Sequence, residues 1–410
     1  MADVTRRAGA RLTVTLAALA MIGPFTIDTV FPAFTRIGQE FGAGEVALQQ
    51  LISAYLAAFA VMSVFHGPLS DALGRKRVMI GGLIIYLVGM FGSILATDLT
   101  GLVVLRVLQG ASAGAATIVS RVVIRDLFAG AEAQRLMARV MMIFSVAPAI
   151  APVLGGWLLL LGNWRWVFAG VGIYGLVTLV LTVLLPETLP PEERRPLRLR
   201  SLFASLLHVG GSPVLLRIAG ATAFGFAAQF LFIASAPIIV TRLLGLGERD
   251  FWVLFVPLII GMMTGSFLVG RLADRVPRHR LIGAGYAITI GSAVLNILLV
   301  SLAPDPPGQV GVGLVPYLVG PMLIAFAVSL IFAPIQLEVM DRFPHERGAA
   351  ASLGTFFSLV LNALLAGAIA PVVTASLETL AATSLGFVLL GAALWAWHRS
   401  KSRQVEAAGS

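Results

Sequence analysis

The sequence predicts an all-α membrane protein with twelve transmembrane helices in two pseudo-symmetric six-helix halves, and three observations carry that prediction. Hydrophobic residues make up 58% of the 410 residues and charged ones only 12%, with a mean hydropathy of +0.94, whereas a soluble domain carries about a quarter charged residues. Twelve runs are long and apolar enough to cross a bilayer as helices, for which about 20 residues suffice. The short alternating strands of an outer-membrane barrel are absent from the pattern. The loop Gly67-Pro-Leu-Ser-Asp71-Ala-Leu-Gly74-Arg75-Lys-Arg77 recurs without a gap as Gly270-Arg-Leu-Ala-Asp274-Arg-Val-Pro277-Arg278-His-Arg280, 203 positions later. Two equivalent halves allow one to rock against the other around a central site, which is how a transporter works.

The spans fall near 12–33, 48–70, 78–97, 100–124, 136–160, 165–185, 214–240, 251–273, 281–302, 314–337, 349–373 and 377–397. The first follows Arg6, Arg7 and Arg11 and resembles a signal peptide as far as Ala20, but its apolar run continues for another dozen residues, so it is read as a helix. With both termini in the cytoplasm, all but five of the 29 Lys and Arg residues lie inside; Arg36, Arg165, Arg242 and Arg249 lie outside and Arg106 within a span. That bias orients the chain. Residues 187–213, rich in proline and charge, form a cytoplasmic linker between an N-terminal half, 1–186, and a C-terminal half, 214–398, and a cytoplasmic tail covers 399–410. A short surface helix is expected within the linker, over 197–208.

The net charge of +9 comes from short inner loops rather than from a basic face, so nucleic acid is not an expected partner. The chain has no cysteine, hence no disulfide or thiolate metal site, and its five histidines are scattered. No paired carboxylates, nucleophile set, metal cluster or phosphate loop lies within the spans, which excludes the common enzyme classes. The lipid bilayer, protons and a small-molecule substrate are the expected partners of a monomeric transporter with no cofactor beyond the proton as coupling ion.

Two ionisable residues lie well inside spans, Asp28 and Arg106. A carboxylate at membrane depth costs a few kcal/mol even on the gentlest scale. Asp28 shares a helix face with Met21, Pro24, Phe25, Phe31 and Pro32. Such a group either takes and releases a proton or bonds backbone freed at the Pro24 and Pro32 breaks. Arg106 cannot carry the proton. It holds a water chain, pairs with Asp28, or anchors backbone carbonyls. Phe25, Phe31, Tyr55, Gln109, Met141, Phe144, Gln229, Phe232, Gln336 and Asn362 are candidates to line a substrate cavity, the aromatic and methionine residues offering an adaptable apolar wall. Helical core packing is the competing role for most of them.

The repeated loops supply an expected conformational gate of Gly67, Asp71, Gly74, Arg75, Arg77, Asp274 and Arg278. Each aspartate sits at an inner helix end, where it can meet Arg75, Arg77, Arg278, Arg280, Arg121 or Arg125 when the inner ends come together. In the fifth span, Pro148, Pro152, Gly155 and Gly156 form a helix-kink motif, since proline removes a helical bond and glycine permits close approach.

Together these segments resemble the major facilitator superfamily, specifically its twelve-span drug:proton antiporters. Gly67 to Arg77 is similar to that family's loop between spans 2 and 3, and Arg106 to Gly114 to its fourth-span motif. Asp28-Thr-Val-Phe-Pro32 resembles the first-span motif of the Bcr/CflA group of bacterial exporters, and Trp164-Arg-Trp166-Val-Phe168 and Pro186-Glu187-Thr188 resemble its sixth span. In the fifth span Pro152, Gly155 and Gly156 fit the antiporter motif, while Ala147 and Ala151 stand where members usually carry glycine. The resemblance implies proton-driven export of small, mostly apolar compounds of the antibiotic type from a bacterial inner membrane. In that picture Asp28 is the proton or substrate carboxylate, Arg106 its relay partner, and Asp71 with Arg75 the inner gate. The alternative is a proton-coupled metabolite symporter of the same fold.

Overall fold

The computed structural model describes residues 2–127, 136, 140, 147–148, 150–194, 198–272, 275–343 and 347–408. The chain forms two compact units, Met1–Leu199 and Arg200–Ser410, divided within the expected linker region 187–213. Among the described residues there is no strand, and eleven helices are long and apolar enough to cross a membrane. Much of the expected fifth span, 136–160, lies outside the described residues; its C-terminal part is the apolar helix Ile150–Leu161.

In the first unit, α1 (Ala2–Asp28) ends within the expected first span instead of running through to 33. The Thr29 hydroxyl and amide both bond the Phe25 carbonyl, and the Val30 amide turns to Ile27 rather than Thr26. Pro32 has no amide to donate, so the chain continues as a 3-10 turn (Phe31–Ala33) and then α2 (Phe34–Phe41). The break leaves the Thr26 carbonyl without its usual helical partner. α3 (Glu45–Leu73) and α4 (Arg75–Ile94) meet at Gly74, whose φ of +99° requires glycine. α5 (Leu99–Leu127), α6 (Ile150–Leu161) and α7 (Arg165–Val183) complete the unit.

Small residues set how closely these helices approach. A Cβ on Gly110 of α5 would lie 2.1 Å from the Tyr55 carbonyl oxygen, and one on Gly155 of α6 would lie 2.2 Å from that of Thr29. Such contacts replace the hydrophobic drive that lipid does not provide between helices. The outer faces are apolar: Ile84, Ile85 and Val88 on α4 and Ile173, Val177 and Val180 on α7 are exposed, as lipid contact requires.

The second unit begins with α8 (Leu199–Gly210), the helix expected in the linker, whose Val209 joins a core with Leu215, Ile218, Ile282, Tyr286, Ile331 and Trp395. The expected span 214–240 is broken: α9 (Pro213–Ala234) stops at Ser235 and is followed by α10 (Ala236–Ile238) and a π-turn (Ile239–Leu243). Pro237 lacks the donor a continuous helix needs there, and the Thr241 hydroxyl takes the Pro237 carbonyl. α11 (Trp252–Leu272), α12 (Arg278–Leu302) and α13 (Val315–Arg342) follow. α14 (Arg347–Leu364) runs through a second π-turn (Leu365–Ile369) into α15 (Ala370–Val373), which contains Pro371. The last helix, α16 (Leu377–Ala408), continues well past the expected end at 397, so the tail 399–410 is helical as far as Ala408.

Gly110→Ala should lower the thermal unfolding temperature of the purified protein, with a cost of about 1–3 kcal/mol for the overpacked contact. Gly283→Ala, where a Cβ meets nothing within 4 Å, should leave it unchanged or raise it, in a parallel melt.

Candidate functional site

Arg106 is 1% exposed, and three kinds of neighbour hold its guanidinium. Nε donates to the Leu51 carbonyl at 2.8 Å, and one terminal nitrogen donates to the Thr26 carbonyl at 3.1 Å and to Gln109 Oε1 at 2.9 Å. The ring of Tyr55 lies beneath it, 4.8 Å from the guanidinium carbon. Arg106 therefore ties α5 to α1 and α3, using the Thr26 carbonyl that the break in α1 sets free. Gln109 passes the connection to α4, donating to the Gly89 carbonyl and to Ser93 Oγ, both at 2.9 Å. The Thr26 hydroxyl meets that of Tyr86 at 2.5 Å. Of the three roles open to Arg106, this geometry is that of a carbonyl anchor.

Asp28 is the last residue of α1 and only 3% exposed. It has no hydrogen-bond or ion-pair partner among the described residues, and Arg106 is not paired with it. The Tyr55 hydroxyl, buried and without a hydrogen bond, lies within electrostatic reach of both Asp28 and Arg106. The kink-motif residue Gly155 abuts the Thr29 carbonyl one residue beyond Asp28, and Pro152 and Gly156 are buried alongside on α6 while Pro148 is partly buried.

Phe25 packs with Ala147 and Ala151, its ring 4.9 Å from that of Tyr174. Phe31 is buried against Phe34. Both fill the first unit's core, the competing role for an aromatic at a candidate cavity position. In the second unit Gln229 and Asn362 are buried, with Gln229 Nε2 and Asn362 Oδ1 unpartnered, Phe232 is buried and Gln336 is half-buried. Met141 and Phe144 lie outside the described residues.

The gate residues of the first unit converge on Arg75. Its guanidinium pairs with Asp71, with Asp126 at 2.9 Å and with Ser70 Oγ at 2.6 Å. Glu187 caps the N-terminus of α4, accepting the Arg75 amide at 3.0 Å, and would collide with any Cβ on Gly74. Arg77 is exposed and outside this cluster, and a Cβ on Gly67 would meet nothing. In the second unit Arg278 pairs with Asp341 at 2.5 Å and lies 3.8 Å from Glu338, which also receives Arg342 at 3.2 Å. Asp274 lies outside the described residues. Among the described residues, Arg75 meets Asp71 and Asp126 within the first unit, and Arg278 meets Asp341 and Glu338 within the second.

Asp126 and Glu187 are partners of Arg75 that the sequence pattern does not reveal, although Pro186-Glu187-Thr188 resembles a family motif. A staple at the opposite end of the helices from Arg75 is likewise not evident from the sequence pattern. Glu40 takes two bonds from Arg165, at 3.0 and 2.7 Å, and one from Trp164 Nε1 at 2.6 Å. Arg165 further donates to the carbonyls of Ile94 and Ala96, and Arg36 to those of Leu159 and Gly162.

The family model described as Major Facilitator Superfamily matches residues 16–371. The chain belongs to that superfamily. This superfamily member is a multi-pass membrane transporter of small molecules, not an enzyme. It is 26% identical over 344 residues to the "Bicyclomycin resistance protein homolog" of Haemophilus influenzae, covering 83% of this chain and 84% of that protein. It is 27% identical over 351 residues to "Multidrug resistance protein D" of Escherichia coli K12, covering 85% of each. It is 26% identical over 317 residues to "Chloramphenicol resistance protein CraA" of Acinetobacter baumannii, covering 77% of this chain and 73% of that protein. Among solved structures, the xylose transporter XylE from E. coli in a partially occluded inward-open conformation matches with a TM-score of 0.72 at 14% identity, covering 95% of this chain and 97% of that one. That likeness is one of fold.

Arg75→Ala should destabilise the purified protein by about 2–3 kcal/mol, because it leaves charge-assisted bonds unmade. Arg77→Ala should stay within about 0.5 kcal/mol of the parent in the same unfolding measurement.

Proposed function

We propose that this transporter exports small, mostly apolar compounds in exchange for protons, by alternating access of the two halves. The observation that carries the reading is Asp28: an acid buried at a helix break without a partner among the described residues, two residues beyond a carbonyl that Arg106 holds. A charge in that setting is expensive, so Asp28 is occupied by a proton while sealed and releases it when water or a cationic substrate reaches it. Arg106 keeps the break in place and supplies the fixed positive field that favours release. The drug-resistance names of the three relatives support export, and bicyclomycin, chloramphenicol and multidrug substrates belong to those proteins' names.

The unpartnered amide atoms of Gln229 and Asn362 favour substrates with one or two hydrogen-bonding groups, since a buried amide without a partner costs about 1–3 kcal/mol. One proton falling through 100 mV and one pH unit yields about 3–4 kcal/mol, enough for a gradient of a few hundredfold in a neutral compound. In this reading the protein sits as a monomer in a bacterial inner membrane, both termini and the 187–213 linker are cytoplasmic, and the proton is the coupling ion.

Asp28→Asn should insert and fold normally yet collapse the accumulation ratio from a few hundredfold to about one, read as drug uptake into inverted vesicles with an imposed pH gradient. Uphill transport at the parental level would exclude Asp28 as the coupling group. Arg106→Lys cannot reproduce a planar fork and should lose at least about tenfold in rate, as for two charge-assisted bonds of about 1.5–3 kcal/mol each, with Arg106→Ala worse still; parental rates in both would reduce Arg106 to packing.

A further inference from the structure

One buried titratable group has no place in the mechanism so far. His66 is 3% exposed in the inner half of α3, and its Nδ1 is sealed from solvent without a hydrogen-bond partner. A histidine kept only for packing would have its ring nitrogens satisfied, because an unmet polar atom in a membrane interior is costly. Its space is kept open from the facing helix: a Cβ on Gly114 of α5 would lie 2.7 Å from Nδ1 and 2.9 Å from Cε1. Helical side chains lean toward their own N-terminus, so the ring reaches outward along the seam between α3 and α5.

That seam carries buried polar groups on either side of Phe59, whose ring also faces Gly114. Tyr55, Ser63, His66 and Ser70 are all buried on α3. Tyr55 lies beneath Arg106, and Ser70 Oγ accepts a bond from Arg75. At 1.5 Å per residue His66 stands about 16 Å inward of Tyr55 and about 6 Å short of Ser70. The charged and titratable groups on the elements packed around α3 lie toward its two ends. Asp28 on α1, Arg36 and Glu40 on α2, Tyr86 on α4 and Arg106 on α5 are toward the outside. Asp71, Arg75, Lys76, Arg77, Arg121, Arg125 and Asp126, with Arg11 on α1, are toward the inside. None of those described makes a hydrogen bond or ion pair with His66.

We propose that His66 is a second proton-carrying site, which takes up the proton released by Asp28 and hands it to the inner side. The proposal rests on the proton-exchange reading above. Neutral imidazole has one ring nitrogen that accepts and one that donates, so it can take a proton on one and release a proton from the other. The carboxyl O–H of Asp28 breaks and its proton passes through water to the free ring nitrogen, giving an imidazolium. The proton on the other nitrogen then leaves to water at the inner end, and the ring is neutral again. One proton has moved inward and no electrons have changed hands.

The test uses the full chain in proteoliposomes with chloramphenicol as the drug, in two assays: counterflow of labelled drug, which needs no net proton movement, and drug-driven proton flux read by trapped pyranine. His66→Gln should keep counterflow within about twofold of the parent while proton flux slows about tenfold or more, the usual scale for a positioned proton-transfer group. Free imidazole should restore flux in His66→Ala, where it fits the vacated space, and should do nothing for Asp28→Asn. Parental proton flux in His66→Gln, with none in Asp28→Asn, overturns the proposal and leaves the exporter reading standing. Equal loss of counterflow and flux without imidazole rescue makes His66 structural and also overturns it. A parent protein that moves neither chloramphenicol nor protons overturns both readings.

Discussion

A guanidinium buried in a membrane protein must find all its acceptors within the fold, and Arg106 finds two of them in main-chain carbonyls. That requirement couples features that would otherwise look separate. The end of α1 at Asp28 has to unwind so that the Thr26 carbonyl is available. Gly110 has to lack a side chain so that α3 can bring its backbone close to α5. Gly155 has to do the same for α6 where α1 breaks. The result is a set of close main-chain contacts next to one buried carboxyl that has no hydrogen-bond or ion-pair partner among the described residues.

The twelve-helix architecture was legible in hydropathy, in the distribution of basic residues and in the repeated loop, because lipid forces helical backbone bonds and a simple periodicity. The two intramembrane charges were legible for the same reason: there are so few. What could not be read was which atoms they would meet. Pro32 announced a disturbance, but the turn at Thr29 and Val30 and the freed carbonyl of Thr26 depend on Arg106, about eighty residues away. Glu187 and Asp126 were hidden because their partner Arg75 is distant in sequence. His66 went unremarked because a single histidine in a long apolar helix acquires meaning only when the glycine facing it is known.

The two copies of the loop show how a duplicated motif diverges. In the first, Arg75 is 8% exposed at the side chain and gathers Asp71, Asp126 and Ser70 beneath a helix capped by Glu187. In the second, Arg278 is 36% exposed and reaches Asp341 and Glu338 on α13. Pro277 replaces the glycine whose positive φ makes room for Glu187 in the first copy. The same arginine therefore anchors a buried corner in one half and a solvated one in the other. Desolvation makes the first the stiffer of the two.

The staple between Glu40 and Arg165 bears on how such a chain is made. Glu40 and Arg36 leave the ribosome with the first helices, but Arg165, Trp164 and the carbonyls of Leu159 and Gly162 emerge more than a hundred residues later. Until then the turn between the first two spans carries an acid and a base without those partners. The arrival of the sixth span closes it, so the first half reaches its finished form as a unit rather than hairpin by hairpin. A chain that stops before Arg165 would leave a half-built bundle in which Glu40 lacks the bonds that Arg165 and Trp164 supply.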